Sequence, residues 1–200
     1  SVEINTVPVK WGRLMECVLF GMVGLEYTMQ HKNTITSKTL ERHSGTPDLE
    51  QKGVKVGEIK CYYPKKFAEL SICLGKKNIE LLKSSFPSEY WQCVSNAILT
   101  GVDKAELLCF MPTKDKLIEV IEDINNGDLL ERNGLNPSDY YFMSTEGKFL
   151  EEIIESLPYL PEEAKLDSVN TFEFEVPQED KDFLIQRVEL AEAELRKLLK

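Results

Sequence analysis

The apolar positions change period several times along the chain, and each change marks an element. Between residues 8 and 30, Trp11, Leu14, Met15, Val18, Leu19, Met22, Val23 and Leu25 recur at the spacing of one helix face. Pro8 falls in the first turn, where a helix tolerates it. Gly21 and Gly24 interrupt the helix interior and leave room for another element to approach. Residues 34–63 read instead as a β-meander. Thr34, Ile35 and Thr36 are strand formers, and "SGTPD" and "QKG" punctuate the run as turns. In "VKVGEIKCYY" the period of two puts Val54, Val56, Glu58 and Lys60 on one face, and Lys55, Gly57, Ile59 and Cys61 on the other.

Beyond the meander, residues 64–83 predict two short helices broken near Gly75. Pro87, for the first turn, and Ser88, as a capping residue, open another helix, which runs through "EYWQCVSNAILTG" and stops near Gly101. "KAELLCFMP" alternates as a strand closed by Pro112, and "TKDKLIEVIEDINNG" is a helix ended by Gly127. In the tail, "DYYFMS" reads as an edge strand or extended segment, "GKFLEEIIESL" as helix and "TFEFEVP" as strand. The last segment is a charged amphipathic helix whose apolar seam (Leu184, Val188, Ala191, Leu195, Leu198) is expected to pack on its own sheet. This order predicts an α/β (α+β) fold, a mixed central sheet flanked by helices, rather than a doubly wound parallel sheet. No internal repeat or low-complexity tract interrupts it, and "LPYLPEEAKLDS" is the most linker-like stretch.

Composition adds bounds. With 200 residues, 42% apolar and 29% charged, the chain suits one domain, or one domain with an appendage, with a core large enough to need no staples. The longest apolar stretch, "CVLFGMVGLEYTM", is interrupted by Glu26 and too short to span a bilayer, so no membrane partner is expected. No secretory pattern is present. The chain begins at Ser1 rather than Met, so a trimmed N-terminus with a targeting segment outside this sequence is an open expectation. Five cysteines (Cys17, Cys61, Cys73, Cys93 and Cys109) stand too far apart for a zinc knuckle or iron–sulfur cluster. They read as free thiols of a reducing cytoplasm.

Charge is unevenly spread. The total is -10, but residues 1–116 carry a net +3 and residues 117–200 a net -13. An acidic chain is a poor nucleic-acid binder on its total, yet the split leaves the N-terminal part able to present a basic surface. A solvated acidic face that only maintains solubility is equally compatible with the number.

The candidate chemistry lies in the meander. Asp48 follows Pro47, and Glu58 and Lys60 share one strand face. Two carboxylates on neighbouring strands suit a hard divalent cation, with the Ile59 carbonyl as a further oxygen ligand and waters and phosphate completing the shell. Lys60 could then orient the attacking water or neutralise developing charge. A solvated strand carrying Glu and Lys is the plainer reading. Glu16 is a carboxylate within an apolar helix face and needs a partner, a metal or a cation. Gln92 follows Tyr90 and Trp91 and could position water or phosphate, or make an ordinary core hydrogen bond. Tyr90 and Trp91 read as core or cleft wall. His43 reads as a surface or core histidine. Lys10, Arg13, Lys65, Lys66, Lys76 and Lys77 are candidate phosphate contacts, against solvated cations as the alternative.

"PD" at Pro47–Asp48, nine intervening residues and "EIK" at Glu58–Lys60 together resemble the PD-(D/E)XK nuclease signature, and within it the YqaJ-type phage exonucleases, relatives of lambda exonuclease. "GRLME", "SGTPD", "GEIKCY", "PSEYWQCVSNAILTG" and "KAELLCFMP" follow the family's order over roughly residues 10–112. The resemblance implies a restriction-endonuclease-like core over residues 1–112, completed by an acidic extension over residues 113–200 that supplies a strand and the terminal helix. It implies Asp48, Glu58, the Ile59 carbonyl and Glu16 as ligands of one or two Mg ions, with Mn as a substitute. It also implies Lys60 and Gln92 as catalytic groups. The related enzymes degrade duplex DNA from an end, often 5′ to 3′, leave single strands for an annealing partner, and in some cases close into rings. The implied setting is the bacterial cytoplasm, with a phage or prophage gene. Asn96 departs from relatives that carry an aromatic residue four positions after the glutamine. An endonuclease of the same superfamily and a catalytically silent binding module on this fold are the rival expectations.

Overall fold

A tight turn at Gln51–Val54, closed by the Val54 N–H on the Gln51 carbonyl at 2.9 Å with Gly53 at φ +72°, folds the middle of the meander into a hairpin. In the computed structural model, which describes residues 6–24, 26–29, 34–40 and 43–198, this hairpin is the centre of a five-stranded sheet. Its strands are β1 (Thr28–Met29), β4 (Leu49–Gln51), β5 (Lys55–Lys60), β6 (Lys104–Phe110) and β7 (Val169–Glu175), in that spatial order. β1 and β5 both run antiparallel to β4. Backbone bonds from Met111 N–H to Ser168 and from Val176 N–H to Asp103 flank β6 and β7 and set those two antiparallel as well. A separate antiparallel pair joins β2 (Ile35–Thr36) to β3 (Ser44–Gly45). The fold is the expected mixed α/β arrangement with a helix-flanked sheet.

By packing, the chain divides into two units, each assembled from three segments. The first takes residues through Met22, Lys60–Ile72 and Cys109–Asn170. Helix α1 (Val7–Val23) buries Trp11, Leu14, Met15, Cys17, Val18 and Leu19, the face that its period marks. Helix α2 (Pro64–Gly75) begins in this unit and buries Phe67 and Leu70. Helix α5 (Lys114–Asn126) starts on the Thr113 hydroxyl, which accepts from the Lys116 N–H. It buries Leu117, Val120, Ile121 and Ile124 and ends on Gly127 at φ +82°. Helix α6 (Asp128–Arg132) and helix α7 (Leu150–Ser156) complete the unit, with a 3-10 segment at Pro137–Met143 between them.

The second unit holds Val23–Ile59, Cys73–Leu108 and the chain from Thr171 on. Helix α3 (Ile79–Ser85) is capped by the Asn78 side chain, which accepts from the Leu81 N–H. Helix α4 (Pro87–Thr100) buries Tyr90, Cys93, Val94, Asn96 and Ala97 and stops at Gly101, in the left-handed region at φ +72°. Helix α8 (Gln178–Leu198) packs on α4. Its first turn is fastened by polar groups. Asp180 accepts from the Tyr90 hydroxyl and from Lys83 Nζ, both at 2.5 Å, and Lys181 reaches Asp103 at 2.6 Å. Lys55 bridges Glu106 and Glu173 at 2.8 Å each and so ties β5, β6 and β7 together by side chains, and the Tyr27 hydroxyl joins at Glu106.

Four expectations need correction. The first helix ends at Val23 rather than residue 30, because Gly24 turns out at φ +85° and Thr28–Met29 pair with β4; Leu25 lies outside the described residues. "DYYFMS" is not extended. Pro137 after the capping Asn136 starts the 3-10 segment, which buries Tyr140 and Met143. Helix α8 packs on α4, and its seam is covered only in part. Leu184 and Val188 are half-buried, while Ala191, Leu195 and Leu198 are exposed. Ser88 does not cap α4, since the N-cap position is Phe86 and no side chain caps it. None of the five cysteines is in a disulfide; four are buried and Cys61 is half-buried.

Candidate active site

The β4–β5 register pairs Leu49 with Gly57, Glu50 with Val56 and Gln51 with Lys55. Continued by one residue, it sets Asp48 opposite Glu58. A carboxylate at the end of β4 and one in β5 therefore face each other across one hairpin. Asp48 is half-buried, and its Oδ2 accepts the Ile59 N–H at 2.8 Å, so the backbone of β5 itself orients this carboxylate. Glu58 is only 2% exposed. Its Oε2 accepts from Asn96 Nδ2 of α4 at 2.9 Å. Gly57 lets β5 lie close against Leu49 of β4, since a Cβ there would be 2.9 Å from the Leu49 Cβ.

Helix α4 carries two more polar side chains in question. Ser95 Oγ lies 2.8 Å from His43 Nε2. His43 is a core histidine, 7% exposed, and its buried Nδ1 has no hydrogen-bond partner. Burial lowers its pKa and keeps the ring neutral, with the Glu192 carboxylate acting in the opposite direction. Gln92 is on the same helix, one turn before Asn96, and is exposed. Tyr90 is fully buried, as a core residue, and Trp91 is half-buried.

Asp48, Glu58, Ile59 and Gln92 thus all belong to the second unit. The first unit carries the other candidates. Lys60 is the last residue of β5, half-buried and two positions after Glu58. Glu16 is half-buried in α1, with exposed Arg13 one turn earlier. Both act on Tyr140. Burial pushes its phenol up to about 12, with Glu16 adding to the rise and Arg13 opposing it. Lys65 and Lys66 are exposed in the first turn of α2, where Lys66 Nζ stands 3.8 Å from the centre of the Tyr62 ring. Lys10 pairs with Asp139 at 2.8 Å, and Lys76 and Lys77 are exposed.

Among the described residues no cluster of three or more His, Cys, Asp and Glu side chains stands ready to hold a metal. The donor chemistry fits a cation that needs fewer. Mg takes one or two carboxylates and fills the rest of its octahedron with carbonyl oxygen, water and substrate phosphate, which matches Asp48, Glu58 and the Ile59 carbonyl. The residue that sequence reading did not assign is Asn96, treated there only as a departure from an aromatic pattern. Its signal was a polar amide among Cys93, Val94 and Ala97 on the buried face of α4. Among the described residues no helix is long and apolar enough to cross a membrane. No protein-family model matches the chain, and no curated protein matches its sequence.

Proposed function

We propose that this chain is a Mg-dependent deoxyribonuclease of the PD-(D/E)XK type. On this reading it is an exonuclease that hydrolyses duplex DNA from its ends, 5′ to 3′, in phage recombination or DNA processing in the bacterial cytoplasm. The observation that supports the reading is the hairpin register, in which Asp48 and Glu58 are opposed and each accepts a well-formed hydrogen bond. The β-period adds Lys60 on the Glu58 face.

In this proposal Asp48, Glu58 and the Ile59 carbonyl hold Mg, with Mn as a substitute, and Glu16 serves a second ion. When bound, the cation supplies Lewis-acid polarisation of the phosphodiester. Lys60 orients the attacking water and offsets the charge that develops on the phosphate. Gln92, exposed on α4, steadies the nucleophile or the scissile group. Arg13, Lys65 and Lys66 contact backbone phosphates. The partners are duplex ends and a single-strand annealing protein, with a ring of identical chains as the assembly.

The test is digestion of a linear duplex, labelled at each 5′ end in turn, beside the same duplex closed into a circle, with Mg and with chelator. Loss of the linear form alone, only with Mg, is expected. The Lys60→Ala variant should fold and lose activity by about 100–1,000-fold. Cutting of the circle would establish an endonuclease instead. Folded protein that cuts neither would make the chain a binding module.

A further inference from the structure

We infer that Asn96 is a positioning residue, one that fixes the Glu58 carboxylate for cation binding; the inference rests on the metal-dependent reading above. A carboxylate buried to 2% exposure must have its orientation set by donors, because water no longer averages it. Asn96 Nδ2 supplies one at 2.9 Å on Oε2. The chemical type of the donor matters. A lysine or arginine at residue 96 would form an ion pair and compete with a divalent cation for the same charge. A neutral amide orients the carboxylate while leaving its charge intact.

The amide is itself held. Asn96 is 3% exposed, on a face of α4 that also buries Cys93, Val94 and Ala97. Its backbone carbonyl accepts the Thr100 hydroxyl at 2.8 Å. One residue earlier, Ser95 meets His43 at 2.8 Å, so two successive residues of α4 are fastened to the strand side. Gly45 completes the cradle. A Cβ there would come within 3.3 Å of Asn96 Oδ1 and 2.8 Å of Leu99 Cδ1, so a larger residue in β3 would press on the amide from the oxygen side.

The experiment measures Mn binding directly, by the free-ion electron paramagnetic resonance signal, for the unmodified chain, Asn96→Leu and Asn96→Ala. Two variants are used because either the apolar swap or the truncation could unfold the chain, and circular dichroism selects the folded one. The Mn dissociation constant is expected to rise about 10–100-fold, the usual effect of losing a partner of a metal-ligating carboxylate. Duplex affinity in chelator should stay within twofold, and raising Mn should restore the cleavage rate. A general structural lesion would weaken Mn and DNA together and would not be rescued. A folded variant with unchanged Mn affinity, or one that loses both affinities, overturns the inference while leaving the nuclease reading intact. An unmodified chain that binds no Mn overturns the metal-dependent reading, and this inference with it.

Discussion

Replacing Gly57 by alanine should strain the hairpin that carries both candidate carboxylates. Directly paired residues of an antiparallel ladder normally keep their Cβ atoms about 4.5–5.5 Å apart. A Cβ at Gly57 would lie 2.9 Å from that of its partner Leu49, 3.0 Å from its Cδ1 and 3.4 Å from its Cγ. The strands must separate by about 1.5 Å at this pair to reach ordinary spacing. Leu49 is fully buried, so its side chain has no solvent-facing escape. Overpacking of this kind costs about 1–3 kcal/mol. For a chain of this size each kcal/mol lowers Tm by about 2–4 °C, so Gly57→Ala should melt about 2–12 °C lower. Gly57→Val should melt lower still, although valine is the better strand former. Gly21→Ala is the control. Nothing lies within 4 Å of a Cβ at that exposed position of α1, so it should gain about 0.5–1 kcal/mol. Since Leu49 adjoins Asp48, the proposed nuclease reading has the Mg concentration for half-maximal cleavage rise in Gly57→Ala and stay constant in Gly21→Ala. Thermal melts followed by circular dichroism decide the matter. A Gly57→Ala variant as stable as the unmodified chain, or Gly57→Val more stable than Gly57→Ala, would refute the packing argument.

Tyr90→Phe removes the hydroxyl that donates to Asp180, a carboxylate only 5% exposed, and should cost about 1.5–3 kcal/mol in urea unfolding. Lys83 remains on Asp180 in that variant, so the cost should fall well short of that of Asp180→Ala. His43 is held neutral by burial, with its folded pKa below the ordinary 6.5. The unfolded chain therefore takes up a proton first, so the stability that His43 contributes is complete above pH 6.5 and is lost as pH falls from there through the folded pKa. Melting temperature against pH should show that acid-side fall, and it should flatten in His43→Gln, whose amide can still meet Ser95. If Lys65 and Lys66 touch phosphates, each alanine substitution should lower the slope of log binding constant against log salt by about 0.9. An unchanged slope in fluorescence anisotropy would remove them from the DNA surface.

Most elements were legible because burial on one side leaves a period in the sequence. α5 shows this plainly, with Thr113 capping, apolar residues at helical spacing and Gly127 closing. The failures have physical causes. Met22 and Val23 continue the apolar spacing of α1, yet Met22 is 44% exposed and the helix gives way at Gly24. Hydrophobicity alone does not mark where backbone geometry stops a helix. "DYYFMS" carries strand-forming aromatics, but Pro137 and the Asn136 side chain impose local hydrogen bonding that overrides them. In α8 the heptad-like spacing is real, but its start is held by Asp180 and Lys181, two charged residues that pattern reading assigns to solvent.

The site divides along the same line. Asp48, Glu58 and Lys60 could be picked out because their relation is local. One turn and a period of two fix which side chains face each other, and the observed register agrees. Strand β5 also shows the limit of that reasoning. Val56, Gly57, Glu58 and Ile59 are all buried, so both faces of the strand are covered, and alternation identified the faces without saying which was covered by what. The answer for Glu58 is Asn96, 38 positions away in sequence. An asparagine within a helix has no periodic signature that names its partner. Its buried placement among apolar neighbours, however, obliges it to have one, because an unsatisfied buried amide would cost about 1–3 kcal/mol. A polar residue on the apolar face of α4, one turn from Gln92, was therefore already a question about the opposite strand, and the Glu58 carboxylate answers it.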